Sequence, residues 1–244
     1  PDPSAAEIEK IISTFAANES AFAKARENYT YRQTARIQEM DGGGIAGGKF
    51  ELVSDIVFGP DGQRTERIVR APVSTLRHIQ MTAEDEQDIR NVMPFVLTAE
   101  EIDNYYVRYL GRERVDEIGT YVFAAKPKQM EEGKRYFQGL IWVDDRDLMI
   151  VKTYGRSTGI LKKGQDQQFP KFETYREQID GKYWFPTYTT ANSLLHFETG
   201  DRRIRLTVKY EDYKQFKTES VITVGEEVKP PEPKSEPKPE PKKP

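Results

Sequence analysis

Gly43-Gly44-Ile45-Ala46-Gly47-Gly48-Lys49 has the spacing of a phosphate-binding loop, in which backbone N–H groups cradle phosphates and the lysine reaches them. Two features argue against that chemistry. Phe50 stands where a serine or threonine would ligate magnesium, and the run leads into a strand pattern rather than a helix whose N-terminus could hold phosphate. A flexible hairpin loop is the better reading. Asp144, Asp145 and Asp147 are oxygen ligands of the calcium type, yet no carboxylate follows at loop-ligand spacing, and a turn accounts for all three. The two histidines, His78 and His196, have no nucleophile-elbow pattern to serve, and His196 between Leu195 and Phe197 reads as a strand residue. Glu100-Glu101 and Glu131-Glu132 fall at helix-start and loop positions, where carboxylates are solvated. Cysteine is absent, which excludes disulfides, thiolate zinc sites and a cysteine nucleophile. No catalytic residue, metal or cofactor is expected, and no enzyme.

Composition narrows the partners. With 37 basic and 40 acidic residues among 244, the net charge of −3 gives no global field toward nucleic acid or anionic lipid. The 13 Tyr, 12 Phe and 2 Trp would suit base stacking only beside a basic groove. Arg32, Arg36, Arg203 and Arg205 instead alternate with neutral residues on outward faces, so a solvated sheet surface is expected and no nucleic acid. No apolar run approaches the ~20 residues of a membrane helix, so no integral membrane protein is expected. The start at Pro1-Asp2-Pro3 reads as a mature or trimmed form from which a signal peptide has gone.

The elements that would carry a site are mostly strands. Ser4 and Glu7 have capping-box spacing, and Ile8, Ile11, Ile12, Phe15 and Phe22 recur at helical intervals to about Arg26. Strands are predicted over Tyr29–Met40, Lys49–Phe58 and, as a charged edge, Arg64–Arg70. Thr82 to Met93 has helix-start chemistry, Pro94 breaks it, and Thr98–Glu101 reads as a second capping box opening a helix through Leu110. Two short helices joined by Met93-Pro94-Phe95-Val96-Leu97 would make a mobile flap. Strands resume from Gly111 to Ala125 with a turn near Glu117-Ile118-Gly119, then continue over Phe172–Gln178, Tyr183–Phe197 and Arg203–Phe216. The last alternates Ile204, Leu206, Val208 and Tyr210 against Arg203, Arg205, Thr207 and Lys209.

Residues 135–154 read as a hairpin apolar on both faces. Tyr136, Leu140 and Trp142 point one way and Phe137, Ile141 and Val143 the other. On the return, Leu148, Ile150 and Tyr154 alternate with Met149 and Val151. Because an antiparallel sheet normally wets one face, a helix is expected on one side of this hairpin and a cavity on the other. In a chain of mean hydropathy −0.75, that suggests a sheet wrapped around something apolar. From about Glu226 the chain is almost wholly Pro, Glu and Lys, so a disordered, extended tail over 226–244 is expected after a folded domain of 1–225.

The order of helix, three strands, helical insertion and long antiparallel strands resembles the LolA/LolB-like superfamily of lipoprotein carriers. The residues carrying the resemblance are Tyr29-Thr-Tyr-Arg-Gln-Thr-Ala-Arg, Gly111-Arg-Glu-Arg-Val-Asp before Tyr121-Val-Phe, and Tyr136-Phe-Gln-Gly-Leu-Ile-Trp-Val-Asp with Leu148-Met-Ile-Val-Lys. The chain is similar in these to outer membrane lipoprotein-sorting proteins. The resemblance implies a mainly β fold: an unclosed antiparallel barrel of about nine or ten strands with an N-terminal helix and a helical lid inserted at about 82–110. It implies a periplasmic protein that holds lipoprotein acyl chains or another lipid between concave sheet and lid, with envelope transport or outer-membrane proteins as candidate partners. On that reading the ligand-binding set is Ile37, Leu52, Ile56, Phe58, Phe123, Ile141 and Leu206 from the sheet, with Met93, Phe95 and Val96 from the flap. Each of them could equally be plain core. The alternative is a sensing or protein-interaction module of the same fold with a filled core.

Overall fold

The computed structural model describes residues 2–161, 170–197 and 199–216. Helix α1 (Ala5–Arg26) opens on Ser4, whose hydroxyl accepts the Glu7 N–H while the Glu7 carboxylate accepts the Ser4 N–H at 2.7 Å. This reciprocal cap satisfies two otherwise orphaned donors. The strands that follow are β1 (Tyr29–Met40), β2 (Ala46–Phe58), β3 (Arg64–Arg70), β4 (Tyr105–Val115), β5 (Ile118–Pro127), β6 (Tyr136–Asp144), β7 (Ile150–Thr158), β8 (Lys171–Ile179), β9 (Tyr183–Leu195) and β10 (Arg202–Gln215). They form one antiparallel sheet in the order β3-β2-β1-β10-β9-β8-β7-β6-β5-β4. Pairing of β1 with β10 turns two runs of hairpins into a continuous sheet. It leaves β3 and β4 as the free edges, so the sheet is an unclosed half-barrel. Register shifts at Thr30/Arg32, Trp142/Val143 and Tyr175/Arg176 are bulges that tighten the bend.

The register defines the concave face. One row runs Leu52, Ala35, Val208, Thr189, Thr174, Thr153, Ile141, Phe123 and Tyr109 from β2 to β4. Its far half is covered by α1, where Phe15 meets Phe123 at 5.4 Å between ring centroids. Phe22 of the same helix meets Phe185 edge-on at 5.0 Å. The middle is covered by the lid, which runs through α2 (Ala83–Gln87) and a wide turn at Asp88–Val92 to Leu97, burying Ile89, Val92, Met93, Phe95 and Leu97. The three central threonines make this row partly polar. Thr174 donates to the Met93 carbonyl at 2.7 Å and shares a 2.8 Å bond with Thr189, which in turn meets the Tyr210 hydroxyl at 3.1 Å.

Three expectations need correction. The helix from Thr98 to Leu110 does not form: a single 3₁₀ turn, Ile102–Asn104, leads into β4. The Glu101 and Ile102 N–H groups bond the Thr98 carbonyl, and the Ser20 hydroxyl of α1 takes the Ala99 N–H at 2.9 Å. Tyr105-Tyr-Val-Arg-Tyr, rich in strand formers, pairs with β5 instead. The insertion therefore ends at Asn104, and the next turn is Asp116-Glu117, with Ile118 already in β5.

The hairpin of β6 and β7 does not have a helix on one side and a cavity on the other. Helix and lid both lie on the concave side, over Phe137, Ile141, Val143 and Ile150. The convex side carries a small cluster of Val122, Trp142 and Val151, roofed by polar side chains. Lys152 lies 4.7 Å over the Trp142 ring, and Glu113 accepts the indole N–H at 2.8 Å. Finally, Ile150 and Tyr154 do not share a face. The bulge pairs Trp142 with Lys152 but Val143 with Ile150, which sends Ile150 inward and leaves Tyr154 against the convex cluster. Met149 and Val151 are parted in the same way. Residues 226–244 lie outside the described residues.

Candidate functional site

The lid is tied to the sheet at successive points along its length. Glu39 of β1, 5% exposed, accepts the backbone N–H groups of Arg77, His78 and Ile79 at 3.1, 2.8 and 3.1 Å, fixing the approach. Thr82 then caps α2 through a reciprocal pair with Asp85. The wide turn places Asp88 inward, where its carboxylate accepts two bonds from Arg135, at 2.9 and 2.7 Å, and one from Ser157. Burial pushes the Asp88 carboxyl up, against the lowering pull of Arg135 and Ser157. Beyond it, the carbonyls of Met93 and Phe95, on either side of Pro94, accept from Thr174 and Arg176. Wide turns of this kind are rare and recur at functional sites.

Between lid and sheet, at the end of the strands where β1 and β10 meet the approach to the lid, lies a cavity of about 380 Å³. Ile37, Leu195, Phe197, Ile204 and Leu206 form its sheet wall, and Ile79, Met81, Ile89 and Met93 its lid wall. His78, Gln80, Thr82, Asp85, Asp88 and Pro170 complete its lining. The volume is within the range of small-ligand sites, about 300–1,000 Å³. A second cleft, about 690 Å³, opens on the other flank of the lid. Its floor is Phe95, Val96, Tyr105 and Phe137, and its rim is charged, with Glu101, Lys128, Glu131 and Lys134.

The ten residues named from sequence fall into distinct places. Ile37, Met93 and Leu206 meet in the first cavity. Phe95 and Val96 line the second cleft, across the lid. Phe123 and Ile141 are fully buried in the main core, Phe123 directly beneath Phe15 of α1. Leu52 packs beside Ala35, Met81 and Ile89 where there is almost no free space, about 10 Å³. Ile56 is fully buried and Phe58 half-buried near the β2–β3 turn. Leu195, Phe197, Ile204, Ile79, Met81 and Ile89 are large apolar cavity residues outside that set. Ile204 shares the parity of Leu206 and was available from alternation; Ile79 and Met81 lie in a segment without period.

The excluded chemistry also has a structural account. Asp41 accepts the N–H groups of Gly43 and Ile45, closing a hairpin loop, while residues 46–49 of the Gly-rich run already belong to β2. Asp144 accepts those of Arg146 and Asp147 in a tight turn. Among the described residues, no group of three or more His, Cys, Asp or Glu is placed to hold a metal ion, and no helix is long and apolar enough to cross a membrane. What the cavity offers is apolar surface with polar side chains around it.

No protein-family model matches the sequence, and no curated protein matches it. Among solved structures, the chain is similar to a DUF1329 family protein from Desulfovibrio piger, at 16% identity and a TM-score of 0.45, covering 89% of this chain and 94% of the other. It is similar to a protein described as an outer membrane lipoprotein-sorting protein domain from Vibrio parahaemolyticus, at 13% identity and TM-score 0.38, covering 88% and 95%. It is likewise similar to a LolA superfamily protein from Nitrosomonas europaea, at 12% identity and TM-score 0.36, covering 82% and 94%.

Proposed function

We propose that this protein is a periplasmic carrier or binding protein for a lipophilic ligand, such as a lipoprotein acyl chain or another lipid. The ligand is taken up between the concave sheet and the lid. The observation that supports it is the cavity walled by Ile37, Ile204 and Leu206 on one side and Ile79, Met81, Ile89 and Met93 on the other. The apolar part of the wall gives no directional recognition, so there affinity follows the length of chain buried, at ~0.8 kcal/mol per methylene. Methionines at two lid positions suit repacking around different chains. Of the predicted set, Ile37, Met93 and Leu206 would touch the ligand first. Phe123, Ile141, Leu52, Ile56 and Phe58 would do so only if the lid or α1 withdrew.

A second reading, a protein-interaction module, is favoured by one observation. Phe15, Phe22, Phe123, Phe137, Phe172 and Phe185 are all fully buried, so most of the concave face is filled by the chain itself. The experiment that separates the two is displacement of a fluorescent fatty acid by palmitate, in the wild type and in Leu206→Trp. The carrier reading expects saturable binding in the wild type and at least a tenfold weaker Kd when the indole occupies the cavity. Equal binding by both proteins, or by neither, would overturn it.

A further inference from the structure

The net charge of −3 conceals a segregated surface. The pairing register places the convex side chains of β2, β1 and β10 in rows. Lys49 lies beside Gln38 and Arg205; Glu51 beside Arg36 and Thr207; Val53 beside Thr34 and Lys209. Arg70 of β3 stands opposite Val53, and Arg203 opposite Met40. This stretch holds six cations, Arg36, Lys49, Arg70, Arg203, Arg205 and Lys209, against one carboxylate, Glu51, an excess of five. Glu51 is shared by two of them, Arg36 and Arg70. Farther along the same face Asp55 is likewise shared between Arg32, at 2.9 Å, and Arg67, at 3.0 Å. Glu211 and Asp212 lie beyond, toward the end where Arg32 pairs with Glu211. Arg203, Arg205 and Lys209 are exposed. No two of these cations stand directly opposite each other, so the face gathers positive charge without a paired clash, and an anionic surface complements it.

The same end of the sheet carries exposed apolar side chains. Ile45, 70% exposed, sits at the tip of the Gly-rich β1–β2 loop, beside the Met40–Ala46 pair. Leu194, 44% exposed, lies opposite Arg203 on β9. The carboxylates there are engaged: Asp41 accepts backbone N–H groups of the loop, and Asp201 pairs with His196 at 2.7 Å.

We propose that the convex face of β3, β2, β1 and β10 docks on an anionic phospholipid surface, with Ile45 entering the headgroup layer. The cations span four strands spaced ~4.8 Å apart, a spread that meets the phosphates of a lipid layer. A protein partner would be keyed by Trp, Tyr or Arg anchors held in desolvated pockets; here Arg203, Arg205 and Lys209 stand exposed on an open strand face, and the neutral side chains between the cations are Thr34, Thr207 and Val53. An apolar tip beside a basic face is the combination that holds peripheral proteins at membranes.

The test is co-sedimentation of the full chain with vesicles of phosphatidylglycerol and phosphatidylcholine, and with phosphatidylcholine alone. The expected result is binding to the anionic vesicles only, lost between about 20 and 300 mM salt as screening takes hold. The triple variant Arg203→Glu/Arg205→Glu/Lys209→Glu should partition at least tenfold more weakly, and Ile45→Asp several-fold more weakly, with unchanged thermal unfolding. The neutral Arg203→Gln/Arg205→Gln/Lys209→Gln variant guards against misfolding from reversed charge and should fall between. Arg108→Glu/Arg114→Glu/Lys126→Glu, with the same change of net charge on β4 and β5, should bind as the wild type does. No binding to anionic vesicles at low salt, or equal loss in both triple-Glu variants, would overturn the proposal. Neither outcome depends on the cavity, since fatty-acid uptake is read separately in the same proteins.

Discussion

Glu19 and Arg176 meet where helix, sheet and lid converge, and they are 0% and 1% exposed. Their oxygens and nitrogens are 3.0 Å apart; Glu19 also accepts the Ile150 N–H at 3.1 Å, and Arg176 also donates to the Phe95 carbonyl. Burial pushes the Glu19 carboxyl up while Arg176 draws it down. Removing one partner leaves the other charged in the interior, so Arg176→Met should cost about 3–5 kcal/mol in denaturant unfolding. Glu19→Leu combined with Arg176→Met should recover most of that loss, because a well-packed apolar pair avoids the desolvation cost. A double variant no more stable than the single one would show that the lid carbonyl, rather than the charge, sets the cost. Phe123, placed in the binding set from sequence, is packed against Phe15, and Phe123→Ala should cost about 3–5 kcal/mol. Palmitate binding by the remaining folded fraction of that variant should stay at wild-type affinity.

At the scale of elements, the lid is the part whose movement matters. Its anchors at Asp88, Met93 and Phe95 are side-chain bonds rather than a strand ladder, which makes the segment separable from the sheet. Thr174 bonds directly to the Met93 backbone, and the chain has no native cysteine. A Met93→Cys/Thr174→Cys disulfide should therefore block ligand entry when oxidised and restore it on reduction. Uptake at the wild-type rate by the oxidised protein would exclude lid opening.

Local signals made α1 readable, through Ser4–Glu7 and the stripe of Ile11, Phe15 and Phe22. They also made β10 readable, by strict alternation. They failed at Thr98–Leu110, where a capping pattern was overruled by pairing of residues 105–109 with β5. The site was less legible than the fold. Alternation assigns Ile37, Phe123, Ile141 and Leu206 to one face, but only the long-range contact of Phe15 with Phe123 determines which part of that face α1 fills. Ile79 and Met81 complete the cavity from a stretch with no period at all.

For the molecule as a whole, the half-barrel divides into a filled half under α1 and a half whose end, beneath the approach to the lid, retains free volume. Residues 226–244 carry a single Val among Pro, Lys, Glu and Ser, too little apolar surface for a core, so truncation after Gly225 should leave Tm unchanged and ligand binding intact. A fall in Tm of several degrees would place part of the folded body beyond that point. The free volume itself is tested most directly by native mass spectrometry of the full chain, purified from its host and then offered palmitate or a lipopeptide. A near-stoichiometric acyl adduct, weakened in Leu206→Trp, is the predicted result. A clean apo mass that takes up neither ligand would contradict a carrier and leave the filled-core interaction module in its place.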